Sequence, residues 1–249
     1  LYMQKHNLDA LGIIESDLHG PNSRQHRTHP LSTQEVHQKL QIEGYYILLP
    51  QSWNAHGQAR IFAYIREGIQ VRERKLSQVD SDLPSISFEL GLGREKKTCF
   101  NFHYREYTGG VTGLNDIASQ KERLERKILH WKTLYKDRRD VVILGDSNIC
   151  AKQWMNENYT LKELSNKVQD FLLEESSDQL VKDITRSELV AGNVQTSCID
   201  HCYSDVKEKI LGPYVEGVGE SDHLGIRILK YSKNPPSNPR VIKRRVYKN

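Results

Sequence analysis

Asp140-Val141-Val142-Ile143-Leu144-Gly145-Asp146-Ser147-Asn148 carries the strongest fold signal in this 249-residue chain. Four apolar residues in a row, three of them β-branched, read as a short buried strand. The run is far below the ~20 apolar residues that span a bilayer. It stops abruptly at Gly145. Gly, Asp and Asn all favour turns, so an ordinary turn is one reading of Gly145 to Asn148. The other is a carboxylate fixed in place by a sheet and exposed by a loop, which is how catalytic groups are often presented.

Outward from this strand, further strands are expected at Asp9 to Ile14, Tyr45 to Leu49, Ser85 to Leu90, Thr98 to Tyr104, Cys198 to Tyr203 and Leu224 to Leu229. Ala59 to Ile65 and Ile69 to Val71 flank Arg66-Glu67-Gly68, which signals a hairpin. A His-rich, turn-rich loop runs from Ser16 to Pro30. The longest helix pattern is Asp116 to Arg138, capped by Asn115 or Asp116. Its apolar stripe is Ile117, Leu124, Ile128, Trp131 and Leu134, with Lys and Arg on a solvated face. A second helix covers Leu161 to Leu173, and the chain opens in helix-like sequence. There is no internal repeat. Strands with few helices between them argue for packed sheets flanked by helices, not a barrel or a regular βα alternation.

Apolar residues make up 37% and charged residues 27%, which is a globular composition, neither disordered nor membrane-embedded. The formal charge of +4 permits a polyanionic partner without demanding one. Residues 230–249 hold seven Lys and Arg and no acid, with Pro235, Pro236 and Pro239 among them. This is a linker, either simply solvated or in contact with nucleic acid. Cys99, Cys150, Cys198 and Cys202 fit neither a zinc knuckle nor a disulfide framework, so reduced thiols in an intracellular protein are expected. The first residue is not Met, and the expectation is a fragment of a larger protein. Trp53, Trp131 and Trp154 read as packing residues, and Asn158-Tyr159-Thr160 is a sequon without a secretion signal.

Carboxylates stand at three strand ends: Glu15, Asp146 with Asn148 two residues on, and Asp222 beside His223. Hard oxygen ligands of this kind suit Mg²⁺, with Mn²⁺ as an alternative, whereas zinc spacing is missing. Each signal alone is weak. Their coincidence in one chain is not.

With these residues in view, the chain resembles the endonuclease/exonuclease/phosphatase superfamily, which includes DNase I, AP endonucleases and the endonuclease domains of non-LTR retrotransposons. The matching stretches are Asp9 to Glu15, Ala59 to Ile69, Asn101 to Glu106, Ile143 to Asn148, Ser197 to His201 and Ser221-Asp222-His223. They occur in the family's order across residues 1–229. The resemblance implies a four-layered α/β sandwich of the DNase I type, with two packed mixed sheets and helices outside. It also implies roles. Glu15 ligates Mg²⁺, with Asp222 near the metal and the His. His223 is the general base or contacts the scissile phosphate. Asp200 hydrogen-bonds His223 and sets its tautomer. Asp146 orients or deprotonates the attacking water, and Asn148 and Tyr104 reach the phosphate. Arg105, beside Tyr104, is a candidate phosphate contact, and Arg24, His26, Arg27 and His29 lie in a loop that is either a solvated surface or, as is frequent in such proteins, a border of the DNA groove.

The retrotransposon branch is the nearest look-alike. It implies that residues 1–229 are an endonuclease nicking double-stranded DNA in the nucleus to prime reverse transcription. Residues 230–249 then lead toward a reverse transcriptase domain of the same polyprotein. Two departures stand out. The family's first strand falls upstream of Leu1 and is missing, and Ser147 replaces a Phe common in relatives. A repair enzyme, an inositol phosphatase or a sphingomyelinase on the same fold, and an inactive nucleic-acid-binding remnant, are the competing readings.

Overall fold

A computed structural model describes residues 2–20, 30–74, 83–91, 97–106, 117–136, 140–217 and 221–231. In chain order the elements are α1 (Tyr2–His6), β1 (Ala10–His19), α2 (Thr33–Lys39), β2 (Tyr45–Leu48), α3 (Gln51–His56), β3 (Gln58–Arg66), β4 (Val71–Glu73), β5 (Ser85–Leu90), β6 (Thr98–Tyr104), α4 (Ile117–Tyr135), β7 (Asp140–Asp146), α5 (Lys162–Glu174), β8 (Asp178–Gln179), β9 (Arg186–Val190), β10 (Asn193–Ser197), β11 (Asp200–Ser204), β12 (Ile210–Glu216) and β13 (Gly225–Lys230).

Six strands form one sheet in the order β4-β5-β6-β7-β11-β8. Its β6–β7 pair is parallel and its other pairs are antiparallel. A second sheet has the order β1-β3-β2, and β12–β13 and β9–β10 are two-stranded ribbons.

Strand periodicity explains the layers, because successive side chains point to opposite faces. On β7, Val142 and Leu144 enter the core between the sheets, while Val141 and Ile143 enter the core under α4 and α5. On β3, Ile61, Ala63 and Ile65 face the inter-sheet core, and Phe62 and Tyr64 face the opposite layer with Met3 of α1. Val36 of α2 and Trp53 of α3 pack nearby with Ala59. Ile226 and Ile228 of β13 join the inter-sheet core. The result is helices, sheet, sheet and helices. No helix of the described residues is long and apolar enough to cross a membrane.

Between β1 and β13 the two sheet edges face each other across a cavity of about 660 Å³, lined by Ala10 to Ile14 on one side and Gly225 to Lys230 on the other. Among the described residues no strand lies between them.

Three sequence expectations are corrected. Arg66-Glu67-Gly68 is not a hairpin turn, because β3 pairs with β1 and β2 while β4 pairs with β5 in the other sheet. The turn instead carries the chain between layers, with Gly68 at φ +83. The first strand does not end at Glu15 but continues to His19. The basic face of α4 is not wholly solvated. Arg123 and Lys127 are buried beside Leu124, Trp131 and Leu134, while Ile117, placed in the apolar stripe, is 50% exposed. Lys127 Nζ donates to the carbonyls of Tyr104 at 2.8 Å and Pro84 at 3.1 Å, which offsets the cost of burying its charge. The expected caps Asn115 and Asp116, the loop residues Arg24, His26, Arg27 and His29, and residues 232–249 lie outside the described residues.

Candidate active site

Register brings three side chains to one end of the six-stranded sheet. Because β6 and β7 are parallel, Tyr104 stands opposite Asp146 where both strands finish. Because β11 runs antiparallel to β7, Asp200 stands on the other side of Asp146 at the start of its strand. These residues share the parity of Phe102, Leu144 and Cys202, so all three point toward the inter-sheet face.

The fourth side chain, a carboxylate, comes from the other sheet through a β-bulge. Pairing of β1 with β3 is regular from Ala10 to Ile14, then shifts register before Leu18. Ile14 packs into the inter-sheet core, but Leu18 packs on the helix side. Glu15 sits at this break with φ +59. Bulges re-aim side chains in this way, and positive φ is strain that non-glycine residues rarely carry. The re-aimed carboxylate accepts a 2.5 Å hydrogen bond from the Tyr104 hydroxyl. Burial, followed by Glu15, pushes the Tyr104 hydroxyl well above its usual range and keeps it a donor. Arg60 lies across the Tyr104 ring, 5.2 Å from its centroid.

Asp146 is almost completely buried and anchors a tight turn. Its Oδ1 accepts from the Asn148 backbone N–H at 2.6 Å, and its Oδ2 from Asn148 Nδ2 at 3.0 Å. Asn148 has φ +48, and its amide also donates to the carbonyl of Arg105 at 2.9 Å. Burial is the main force raising the Asp146 carboxyl above the usual range. The Asp200 charge adds to it, and the Asn148 N–H opposes it.

His223 sits in the turn before β13. Its Nδ1 lies 3.0 and 3.2 Å from the two Asp200 oxygens. The Asp200 hydrogen bond raises its imidazole to about 9 against the opposing effect of burial. Asp200 is itself steadied, since Thr185 Oγ1 accepts from the backbone N–H groups of Ile199 and Asp200 at 3.1 and 3.0 Å. Neighbouring Asp222 takes another direction. It accepts from Arg186 Nε at 2.8 Å, and that bond holds its carboxyl below the usual range.

One pocket of about 430 Å³ is lined by Glu15, Tyr104, Asp146, Asn148, Arg186, Asp222 and His223. Asp200 supports His223. The donor set fits a hard divalent cation. Carboxylates from both sheets meet here, and ligand atoms of Asp146, Asp200 and His223 lie within 4.8 Å of one another. Neither residue expected as a metal ligand belongs to that trio: Glu15 lines the pocket, and Asp222 is engaged by Arg186.

Arg105 is a correction. It does not face the pocket as a phosphate contact; it is 2% exposed and its guanidinium is turned inward. Sequence reading missed Arg186, which lies in a polar stretch without strand character. It also missed Arg60, although a lone Arg inside the alternating run Ala59 to Ile65 was a usable signal.

The fold is a two-sheet α/β sandwich with a polar, carboxylate-bearing pocket at one end of its six-stranded sheet. Solved structures share it. The endonuclease domain of TRAS1, a telomere-specific non-LTR retrotransposon, is 15% identical with a TM-score of 0.57, covering 92% of this chain and 89% of its own. An AP endonuclease from Archaeoglobus fulgidus is 14% identical with a TM-score of 0.58, covering 92% and 91%. The 3′ phosphatase NExo from Neisseria, bound to a product DNA hairpin, is 16% identical with a TM-score of 0.56, covering 92% and 94%. At these identities the likeness is one of fold, that of endonuclease/exonuclease/phosphatase proteins. No profile of a known protein family and no curated protein matches the sequence.

Proposed function

We propose that this chain is a Mg²⁺-dependent phosphodiesterase that nicks double-stranded DNA, in the setting of a non-LTR retrotransposon whose reverse transcriptase follows residue 249. The observation that carries the reading is the convergence of Glu15, Tyr104, Asp146, Asn148 and His223 on one pocket from two sheets. The TRAS1 likeness and the basic stretch 230–249 support the retrotransposon setting.

Each group has a task. Asp146, fixed at the end of β7 by two hydrogen bonds from Asn148, orients the attacking water or accepts its proton. His223, held as an imidazolium by Asp200 at neutral pH, donates to the scissile phosphate, which favours the phosphate-contact role over the base role. Tyr104 donates from its hydroxyl, and Asn148 fixes Asp146 until substrate arrives. Glu15 would hold the cation, which when bound supplies Lewis-acid stabilisation of developing phosphoryl charge.

Nicking of supercoiled plasmid tests this, with Mg²⁺ or EDTA and with wild type or His223→Ala. Metal-dependent nicking reduced ~10²- to 10⁴-fold in the variant is expected. No nicking in Mg²⁺ would sink the function, and equal nicking by His223→Ala would sink the site. Faster turnover of an abasic duplex or an inositol phosphate than of intact DNA would move the chain to a repair or phosphatase role.

A further inference from the structure

Arg105 presents a puzzle that the proposed chemistry leaves open. A buried guanidinium is expensive unless its donors are satisfied. Its partners are not carboxylates from a structural ion pair. Two of them are carbonyls of the turn that carries Asp146 and Asn148, and the third is a side-chain amide of α4. Arg105 Nε donates to the carbonyl of Ser147 and Nη2 to that of Asn148 at 2.7 Å, while Nη1 donates to Gln120 Oε1 on α4. Its backbone closes the same circuit. Arg105 N–H donates to Asp146 O at 2.9 Å, and Arg105 O accepts from Asn148 Nδ2 at 2.9 Å. One residue thus holds all three residues of the turn, in which Asn148 takes the left-handed conformation that asparagine tolerates. The far side of the turn is tied separately, Ser147 N–H to Ile199 O at 2.9 Å.

We infer that Arg105 is a positioning residue for the Asp146–Asn148 turn, a three-pronged clamp that sets the catalytic carboxylate and its asparagine from the α4 side. It acts through that turn and does not touch substrate. The clamp needs a planar fork, since three acceptors in different directions cannot be met by the single ammonium of lysine. The inference deepens the proposed function and rests on it for the role of Asp146. The hydrogen-bond circuit itself can be tested whether or not that reading stands.

The test is Arg105→Lys in the full chain, with two readouts. The first is nicking kinetics at several salt concentrations. The clamp predicts kcat lowered ~10- to 100-fold, as expected for displacing a catalytic group by ~1 Å, with KM and the salt dependence of DNA binding unchanged. A phosphate contact predicts the opposite: KM raised and the salt slope reduced by about 1. A purely structural role predicts a lower unfolding midpoint with kcat unchanged well below it. Either of these results overturns the proposal. The second readout is amide hydrogen exchange of the metal-free protein. Exchange at Ser147, Asn148 and Ile149 should quicken at least several-fold while Val141 to Leu144 stay protected. Unchanged exchange at 147–149 overturns the clamp even in a protein with no nuclease activity, whereas quickened exchange without wild-type nicking condemns the nuclease reading alone. If the lysine variant does not fold, Gln120→Met removes one prong's acceptor and must reproduce the faster exchange at 147–149.

Discussion

Gly145 separates the buried run of β7 from Asp146, and replacing it tests how tightly the site depends on the β6–β7 pairing. Gly145 has φ +152, and a Cβ there would lie 1.8 Å from the carbonyl oxygen of His103 on the neighbouring strand. Real Cβ contacts essentially never fall under 3.0 Å, so the strands must separate by at least 1.2 Å, the difference between the two distances. The obstacle is backbone, which cannot swing aside. The 2.9 Å bond from Arg105 N–H to Asp146 O would then be stretched out of hydrogen-bonding range. Losing about two such bonds costs ~1 kcal/mol each, and overpacking adds ~1–3 kcal/mol. Gly145→Ala should therefore lower stability by about 3–5 kcal/mol, a large share of the ~5–15 kcal/mol typical of a domain. Whatever remains folded should nick ~10²-fold more slowly, because Asp146 and Tyr104 end the two displaced strands. Urea unfolding in EDTA gives the first quantity and plasmid nicking the second. Gly217→Ala is the control, since nothing lies within 4 Å of a Cβ there. A Gly145→Ala protein within ~1 kcal/mol of wild type would refute the reasoning.

Tyr104→Phe keeps the ring in the inter-sheet core and removes the donor to Glu15. Its kcat should fall ~10- to 100-fold, somewhat less than for a full oxyanion donor, with stability changed by no more than ~1.5 kcal/mol; an unchanged kcat would show that the phenol has no part in the chemistry. The His223–Asp200 pair makes stability depend on pH. The folded-state value of His223 is raised from 6.5 to about 9, so its contribution is complete below pH 6.5 and is lost as pH rises through 9. At ~1.4 kcal/mol per unit the unscreened ceiling is about 3.5 kcal/mol, and solvent around this partly exposed pair brings the contribution well below that. The metal-free protein should accordingly unfold at lower urea at pH 9.5 than at pH 6, and His223→Asn should remove most of that difference; an equal difference in both proteins would point to another group.

Much of the scaffold was legible because burial leaves a pattern. Val141 to Leu144 is apolar without alternation, and it feeds two cores at once. What escaped was whatever local sequence does not encode. The hairpin expected at Arg66-Glu67-Gly68 had the right turn residues, but which sheet receives the next strand is decided by distant pairing with β5. The β9–β10 ribbon is polar, and its apolar residues Leu189 and Val194 are exposed, so it lacks the alternation of a half-buried strand. Lys127 was read as solvated because charge usually is, yet two backbone carbonyls satisfy it inside the protein. In the site, the positions of Glu15, Asp146 and His223 at the ends of apolar runs could be seen. The bulge that turns Glu15, the engagement of Asp222 by Arg186 and the inward turn of Arg105 could not, because each depends on a partner distant in sequence, 89, 36 and 43 residues away respectively.

The open edges of β1 and β13 have a mechanical consequence. Glu15 stands at the end of one wall of that trench and His223 at the end of the other. No backbone ladder joins the two walls among the described residues, so nothing in the nearest layer sets their spacing. The tie runs the long way round. From Glu15 it passes through Tyr104 to Asp146, across the β7–β11 pair to Asp200, and so to His223. The six-stranded sheet acts as a caliper frame, and among the described residues the gap between its two jaws at the pocket is gauged by its ladders and the side-chain contacts at either end.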